Sequence, residues 1–314
     1  MRTALVFIFA CLFAAPLASQ APTAASASTA PAVAATTPEA VTDSGPVGII
    51  PLVKGPNLSL VTTSQHDSSN GWSSLLSPDF AWRFSKHYSA DVSIPLYDYI
   101  NVLVTGGTTA KPTYTYEIKH HALGDTALNG RFEVHPKLLS YIATLTLGLP
   151  SGNTTYGLGS GQVTYNINHH FEKDFDFFTP DIELGIGDNS SLIGSRIRKS
   201  YVTVGELAYF QAGGSISLPW DINFESDAYE ELPLNAQTHY STTGKGKKKV
   251  TTATGKTEAE DNGFINSIDI PLGGHVTLSG FYNRSLINKI DTAGFSLTFL
   301  LRAPPREKPG LVSH

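Results

Sequence analysis

The stretch Tyr141–Gly152, YIATLTLGLPSG, decides the fold class of this chain. Its apolar residues occupy every second position: Tyr141, Ala143, Leu145, Leu147 and Leu149. The positions between them hold small residues such as Thr144 and Thr146. Alternation with a period of two is typical of a β-strand, because successive side chains point to opposite faces. The strand therefore has one apolar face, which must be covered by a second sheet or by lipid.

The composition of the chain excludes a nucleic-acid-binding protein. Of its 314 residues only 16% are charged, and the formal net charge is -5, so the chain lacks the basic surplus that binds nucleic acid. The abundance of Thr, Ser, Asn, Gly and Tyr is typical of short strands and turns.

The N-terminus predicts secretion. Arg2 is followed by an apolar run, Ala4–Ala15, and by the small-x-small sequence Ser19-Gln20-Ala21. This order is typical of a cleaved signal peptide, which we assign to residues 1–21. An uncleaved membrane anchor is the alternative, but the apolar run is short and Pro16 follows it. Residues 22–46 are rich in Ala, Thr, Ser and Pro, and we predict a disordered lead-in there.

The same alternation recurs along the chain, without a comparable helical period. It predicts strands near 57–64, 78–86, 88–97, 124–134, 139–149, 161–171, 177–187, 200–211, 214–226, 263–270, 275–284 and 292–302. Short links, such as the one at Gly213-Gly214, alternate with long polar ones, such as 228–262. An even strand number with sorted loops is the layout of an outer-membrane barrel. We therefore predict an all-β, antiparallel, up-and-down transmembrane barrel of about twelve strands over residues 47–302, with a tail at 303–314.

The polar face of these strands indicates which face meets lipid. A barrel of about twelve strands is too wide for side chains to fill, so its interior meets water. The predicted lumen-lining residues are Asn129, Arg131, Glu133, Thr144, Thr146, Asn166, Asn168, Asp181, Glu183, Asp221, Asn223, Thr298 and Arg302. The apolar face is then the outer one, and the lipid bilayer of a Gram-negative-type outer membrane covers it.

Three segments in the middle of the chain carry a family resemblance. They read GDTALNGRF at 124–132, LTLGLPSG at 145–152 and GLGSG at 157–161. Together they resemble the outer-membrane proteins of the MetA-pathway of phenol degradation family, although Ser151 and Asn153 depart from its pattern. The matching motif residues are Gly124, Asp125, Pro150, Ser151, Gly152, Gly157, Gly159 and Gly161. The resemblance implies a β-barrel that passes aromatic or other small hydrophobic solutes and has no catalytic residues.

Two features indicate partners at the cell surface. The last strand contains Thr292-x-Gly294-x-x-Leu297-x-Phe299, which resembles the terminal-strand signal read by the outer-membrane barrel assembly machinery. Lys245 and Lys247–Lys249 form a basic segment that is suited to lipopolysaccharide phosphates, or to a solvated loop.

Other functions stay open at this point. A structural or adhesive barrel plugged by a loop such as 98–123 would not transport. The segment His66–Gly71, HDSSNG, loosely resembles the signature of outer-membrane phospholipase A, but an exposed turn also accounts for it. The pairs His120-His121 and His169-His170 cannot chelate as units, because neighbours on a strand point to opposite faces. We predict no enzyme, cofactor or metal.

Overall fold

The structure is a computed structural model of the chain. It describes residues 54–68, 71–108, 111–136, 138–153, 158–159, 161, 163–175, 177–187, 201–203, 206–234, 237–243, 250–256, 260–287 and 289–301. The predicted signal peptide, lead-in and C-terminal tail lie outside these residues and stay predictions. Within the described ranges, no helix has both the length and the apolar character that crossing a membrane requires.

The described residues form strands, with one short 3-10 turn at Pro219–Asp221. In chain order the strands are β1 Gly55–Asp67, β2 Gly71–Arg83, β3 Tyr88–Ser93, β4 Leu96–Thr108, β5 Lys111–Lys119, β6 Ala122–Leu123, β7 Thr126–Val134, β8 Ser140–Leu149, β9 Thr164–Glu172, β10 Phe178–Gly187, β11 Tyr201–Thr203, β12 Leu207–Leu218, β13 Ile222–Pro233, β14 Gln237–Thr243, β15 Val250–Lys256, β16 Asp261–Pro271, β17 Val276–Ser285 and β18 Asp291–Leu300.

Twelve of these strands close into a barrel. The hydrogen-bonded order is β1, β18, β17, β16, β13, β12, β10, β9, β8, β7, β3 and β2, and the pairing of β2 with β1 completes the 12-strand ring. Every pairing along the ring is antiparallel, and the first and last barrel strands meet from Ser59↔Leu300 to Asp67↔Thr292. The predicted fold class is confirmed.

The two faces of the barrel differ in polarity, as the alternation predicts. Large apolar side chains are exposed on the outer face, among them Leu145 at 44% and Phe295 at 52% of their full accessibility. The residues of the opposite face are polar and buried, such as Ser59, Thr63 and Gln65 on β1. This arrangement is the reverse of a soluble protein, where an exposed apolar surface of such extent is rare. The outer face therefore has the character of a surface that meets lipid.

The connections are sorted between the two rims. Turns at 84–87, 135–139, 173–177, 219–221 and 272–275 lie at the end where β1 begins and β18 ends, which we call the short-turn rim. The other end, the long-loop rim, carries the long connections 94–125, 150–163, 188–206 and 234–260, together with the short ones at 68–70 and 286–290. Short turns on one rim and long loops on the other are typical of outer-membrane barrels.

The prediction of a link at Gly213-Gly214 was wrong. β12 continues through both glycines, which pair with Asp227 and Ser226 of β13. The chain instead reverses at Pro219–Asp221, where the φ values of Trp220 and Asp221 are 67° and 60°. Two consecutive residues in the left-handed region turn the chain back on itself. The predicted strand 214–226 is therefore the end of one strand and the start of the next.

Two predicted loops also belong to strands. The segment 65–77 lies within the β1–β2 hairpin, which is paired from Gly55↔Arg83 to Asp67↔Gly71. The proposed plug, 98–123, is largely the β4–β5 hairpin, paired from Ile100↔Lys119 to Thr108↔Lys111. The side chains at 115–118 of this hairpin are exposed, whereas Ile100 at its base is buried. β11, β14 and β15 form a separate three-stranded sheet within the long connections.

The lumen as the candidate functional site

Most of the predicted lumen residues lie on the inward-facing side of barrel strands. They are Asn129, Arg131 and Glu133 on β7, Thr144 and Thr146 on β8, Asn166 and Asn168 on β9, Asp181 and Glu183 on β10, Asn223 on β13, and Thr298 on β18. Asp221 is not among them, because it lies in the exposed turn at the short-turn rim. Arg302 lies outside the described residues. The part these residues play in transport stays a prediction.

A hydrogen-bond chain crosses three neighbouring strands on the inner face. Asn129 Nδ2 donates to Asp91 Oδ2 at 2.6 Å. Thr146 Oγ1 donates to Asn129 Oδ1 at 2.7 Å. The residues come from β3, β7 and β8, and each has the inward position of its strand. These two hydrogen bonds fix the orientation of the Asn129 amide, because its NH₂ group donates one of them and its oxygen accepts the other.

An ion pair between Arg83 and Glu133 braces the short-turn rim. The Arg83 guanidinium contacts the Glu133 carboxylate and also donates to the Ser85 and Lys86 carbonyls at 3.1 and 3.0 Å. Glu133 is only 8% exposed. Arg83 belongs to β2 and Glu133 to β7, so the pair spans the intervening β3.

His170 joins two carboxylates on the inner face. Its Nε2 lies 3.6 Å from Glu172 Oε2, and its Nδ1 lies 3.6 Å from Glu183 Oε2. Further acids face inward from other strands, including Asp227 on β13 and Asp269 on β16. Among the described strand residues, inward-facing acids outnumber inward-facing arginines.

The motif residues build a loop that folds back on the start of β7. The Gly152 N–H donates to Asp125 Oδ1 at 2.8 Å, and the Thr126 N–H donates to Ser151 Oγ at 2.8 Å. A side chain at Gly159 would place its Cβ 2.6 Å from Asp125 Oδ1. Glycine is thus required where the loop meets the Asp125 carboxylate. Gly157 lies outside the described residues.

The remaining described motif residues surround the same contact. Gly124 donates its N–H to the Pro95 carbonyl at 2.9 Å, and Pro150 separates the end of β8 from Ser151. Gly161 has a φ of 71°, which favours glycine. The motif is therefore explained by the local fold of this loop.

An apolar cluster lies where this loop meets the barrel wall. Its buried members are Leu75, Tyr97, Ile100, Ala122 and Leu158. Leu75 shares the inward position of Ser73 and Ser77 on β2, so the cluster lies on the inner face. Sequence analysis missed it, because Leu75 fell in a predicted loop and Leu158 lies in a Gly-rich stretch without periodicity.

The residues of the hydrolase hypothesis have separate neighbours. His66 is exposed, and its ring packs edge-on against Trp72 with centroids 5.2 Å apart. The Ser68 hydroxyl accepts a hydrogen bond from the Asp291 N–H at 2.9 Å. Ser69 and Asn70 lie outside the described residues. The arrangement is that of a hairpin end, with His66 on the outer face of β1.

Aromatic side chains form a band on the outer face beside the short-turn rim. Tyr88 and Phe132 have ring centroids 5.1 Å apart, and Tyr141 and Phe171 have centroids 5.0 Å apart. Tyr141 also hydrogen-bonds with His169 Nδ1 at 2.7 Å. Amphipathic aromatic side chains at such a level are typical of the interface between lipid and water.

Comparison with solved structures identifies the same architecture in known proteins. An outer membrane channel from Pseudomonas putida F1 matches with a TM-score of 0.54 and 13% identity, over 82% of this chain and 100% of that one. The chain has the fold of an outer-membrane β-barrel. The Pseudomonas putida toluene transporter TodX matches with a TM-score of 0.42 and 8% identity. The match covers 85% of the present chain and 94% of the TodX chain. No protein-family model matches the chain, and no curated protein matches it in sequence.

Proposed function

We propose that this outer-membrane barrel provides a passage for small molecules across the outer membrane of a Gram-negative-type bacterium. The observation that carries the proposal is the closed 12-strand ring with an apolar outer face and a polar inner face. A ring of this size is wider than an eight-stranded barrel, whose interior side chains just fill the bore. The short-turn rim faces the periplasm and the long-loop rim faces the outside.

The charges of the inner face give the passage its ionic preference. Inward-facing acids such as Glu183 and Asp269 outnumber inward-facing basic groups in the described strands, and negative rings favour cations. The oriented Asn129 amide and the charged groups around His170 add an electric field across the lumen, and this field orients dipolar solutes. We therefore expect a modest preference for cations over anions.

Aromatic or other small hydrophobic solutes are the substrate class we propose. The resemblance of the motif at 124–161 to the phenol-degradation family implies this class. Support comes from the apolar cluster of Leu75, Tyr97, Ile100, Ala122 and Leu158 on the inner face near the long-loop rim. All five side chains are buried, so the cluster contributes an apolar segment of the inner wall and not an exposed surface.

A structural or adhesive barrel is the second candidate. It is favoured by the β4–β5 hairpin, which carries the exposed side chains Tyr116 and Ile118. Exposed apolar side chains on a ribbon are suited to contact with another surface. A phospholipase activity of the segment at His66 has the least support, since His66 and Ser68 contact different groups.

Two partners belong to the same proposal. The assembly machinery would read β18, where Phe295 and Phe299 are exposed on the outer face. A Cβ at Gly294 would lie 2.6 Å from Phe281 Cζ, so the glycine of the signal makes room for that ring. Lipopolysaccharide would meet the lysines at 245–249, which lie outside the described residues.

Reconstitution tests the passage directly. The refolded protein is inserted into planar lipid bilayers, and proteoliposomes are assayed in parallel for uptake of radiolabelled toluene, phenol and a small sugar. We expect discrete conductance steps and uptake of the aromatic solutes faster than in protein-free vesicles. A correctly folded, heat-modifiable protein that neither conducts nor accelerates uptake would contradict the proposal and favour the structural alternative.

A further inference from the structure

Three acidic side chains meet on the inner wall of the barrel. Asp181 on β10 and Asp227 on β13 are both paired with Gly213 of the intervening strand β12. Glu225 lies two residues before Asp227 and points to the same face. One carboxylate oxygen from each of the three residues lies within 4.8 Å of the other two.

Gly213 creates the space in which these carboxylates approach one another. A Cβ at this position would overlap Asp227 Oδ1 and would lie 2.7 Å from Asp227 Cα. Any other residue would therefore displace the Asp227 carboxylate from the wall. Because Gly213 has no side chain, the carboxylates of Asp181 and Asp227 share the space above it, which we call the niche.

Two of the acids in this niche have buried carboxylate oxygens without a hydrogen-bond partner among the described residues. Asp181 is 7% exposed and Asp227 is 2% exposed. Oδ1 of Asp181 and both carboxylate oxygens of Asp227 meet no hydrogen-bond donor among the residues that the structure describes. Buried carboxylates without partners are costly, so the niche requires a positive counterpart.

The neighbouring base is already engaged elsewhere. His170 faces inward from β9, the strand that pairs with β10. Both of its ring nitrogens lie at 3.6 Å from other carboxylates, those of Glu172 and Glu183. His170 is therefore not placed to pair directly with the three acids of the niche.

We propose that Asp181, Glu225 and Asp227 bind a divalent cation of the size of Ca²⁺ in the lumen wall. Hard cations prefer carboxylate oxygens, and Ca²⁺ holds them at about 2.3–2.6 Å. Two oxygens on opposite sides of such an ion are at most about 4.6–5.2 Å apart. The observed separation lies within that span, and lumen water supplies the remaining ligands. The cation ties β10 to β13 across the intervening β12, and the site does not depend on what the barrel transports.

The test measures Ca²⁺ binding to the whole refolded barrel in detergent, free of lipopolysaccharide and stripped with a chelator. Isothermal titration with CaCl₂ is run on the wild type, on Asp227→Asn and on Glu183→Gln. Glu183→Gln is the matched control, because it removes an inward carboxylate of β10, the strand of Asp181, that is not one of the three proposed ligands. Glu225→Gln replaces Asp227→Asn if the latter does not fold.

The wild type and Glu183→Gln are expected to bind one Ca²⁺ per chain. Asp227→Asn is expected to bind Ca²⁺ more than about tenfold more weakly than the wild type. Even residues that only hydrogen-bond to metal ligands change metal affinity by roughly 10–100-fold, and Asp227 would be a ligand itself. Chelation should also lower the thermal midpoint of the wild type but not of Asp227→Asn. Absence of binding, or equal binding by Asp227→Asn, would overturn the proposal. A midpoint that responds to pH but not to Ca²⁺ would also overturn it and assign protons to the niche.

Discussion

The carboxylate of Asp125 accepts a hydrogen bond from the Gly152 N–H at 2.8 Å, and this contact ties the 150–161 loop to the start of β7. Its closeness depends on the missing side chain of Gly152. A Cβ there would overlap the Leu158 carbonyl oxygen and lie 2.7 Å from the Asp125 nitrogen. Leu158, in the same loop, belongs to the apolar cluster of the inner wall.

Gly152→Ala should therefore loosen the loop. Forcing a methyl group into a filled site costs about 1–3 kcal/mol. We expect a lower midpoint temperature of thermal unfolding. The midpoint is measured from the heat-dependent shift of the barrel in gel electrophoresis. Gly130→Ala is the control, because its Cβ would meet no atom closer than 4.0 Å. Equal midpoints for the two variants would show that the close packing at Gly152 is not needed.

A charge on the outer face should cost more than the same charge on the inner face. Leu145→Arg places a guanidinium in the apolar band of β8, where 44% of Leu145 is exposed. Near the bilayer midplane this substitution costs about 2–4 kcal/mol. Thr144→Arg, one residue away on the inner face, should cost far less. Equilibrium unfolding in urea with lipid vesicles measures both, and equal losses would mean that lipid does not cover Leu145.

The Arg83–Glu133 pair should contribute to stability at the short-turn rim. Glu133→Gln removes one charge and leaves the Arg83 guanidinium beside a neutral amide. Because both side chains are largely shielded from water, we expect a loss of about 1–3 kcal/mol. Glu117→Gln breaks the exposed pair with Lys119 on the β4–β5 hairpin and should cost at most about 0.5 kcal/mol. Similar losses from the two substitutions would argue against a bracing role for Arg83 and Glu133.

The acidic inner face should make the passage prefer cations. In planar bilayers under a KCl gradient, the reversal potential is expected to have the sign of K⁺ selectivity. The double variant Glu133→Gln, Glu183→Gln removes two inward charges and should move the reversal potential toward zero. An anion-selective wild type, or a double variant with an unchanged potential, would mean that these residues do not line the conducting path.

The fold was predictable because its main signal is local. Period-two alternation, as in Leu145 and its neighbours, reports the two faces of each strand without knowledge of the partners. Boundaries failed where small residues in a strand imitate a loop. Gly213-Gly214 and the serines of β2 both have the composition of a turn, yet they are paired along their length.

The site was predictable only in part. Inward positions such as Asn129, Glu133 and Asp181 follow from alternation alone. The niche of Asp181 and Asp227 depends on both residues being paired with Gly213, and alternation within a strand does not report the register between strands. The inward packing of Leu158 depends in the same way on a tertiary contact.

The most direct test of the central claim is the accessibility of spin labels along β8 in lipid vesicles. Single cysteines are introduced at positions 142–147 of the chain, whose sole native cysteine, Cys11, lies in the predicted signal peptide. Labels at 143, 145 and 147 should collide with lipid-soluble oxygen, and labels at 144 and 146 with a water-soluble nickel complex. The opposite assignment, or the same accessibility at all positions, would contradict a barrel whose apolar face meets lipid and whose polar face meets water.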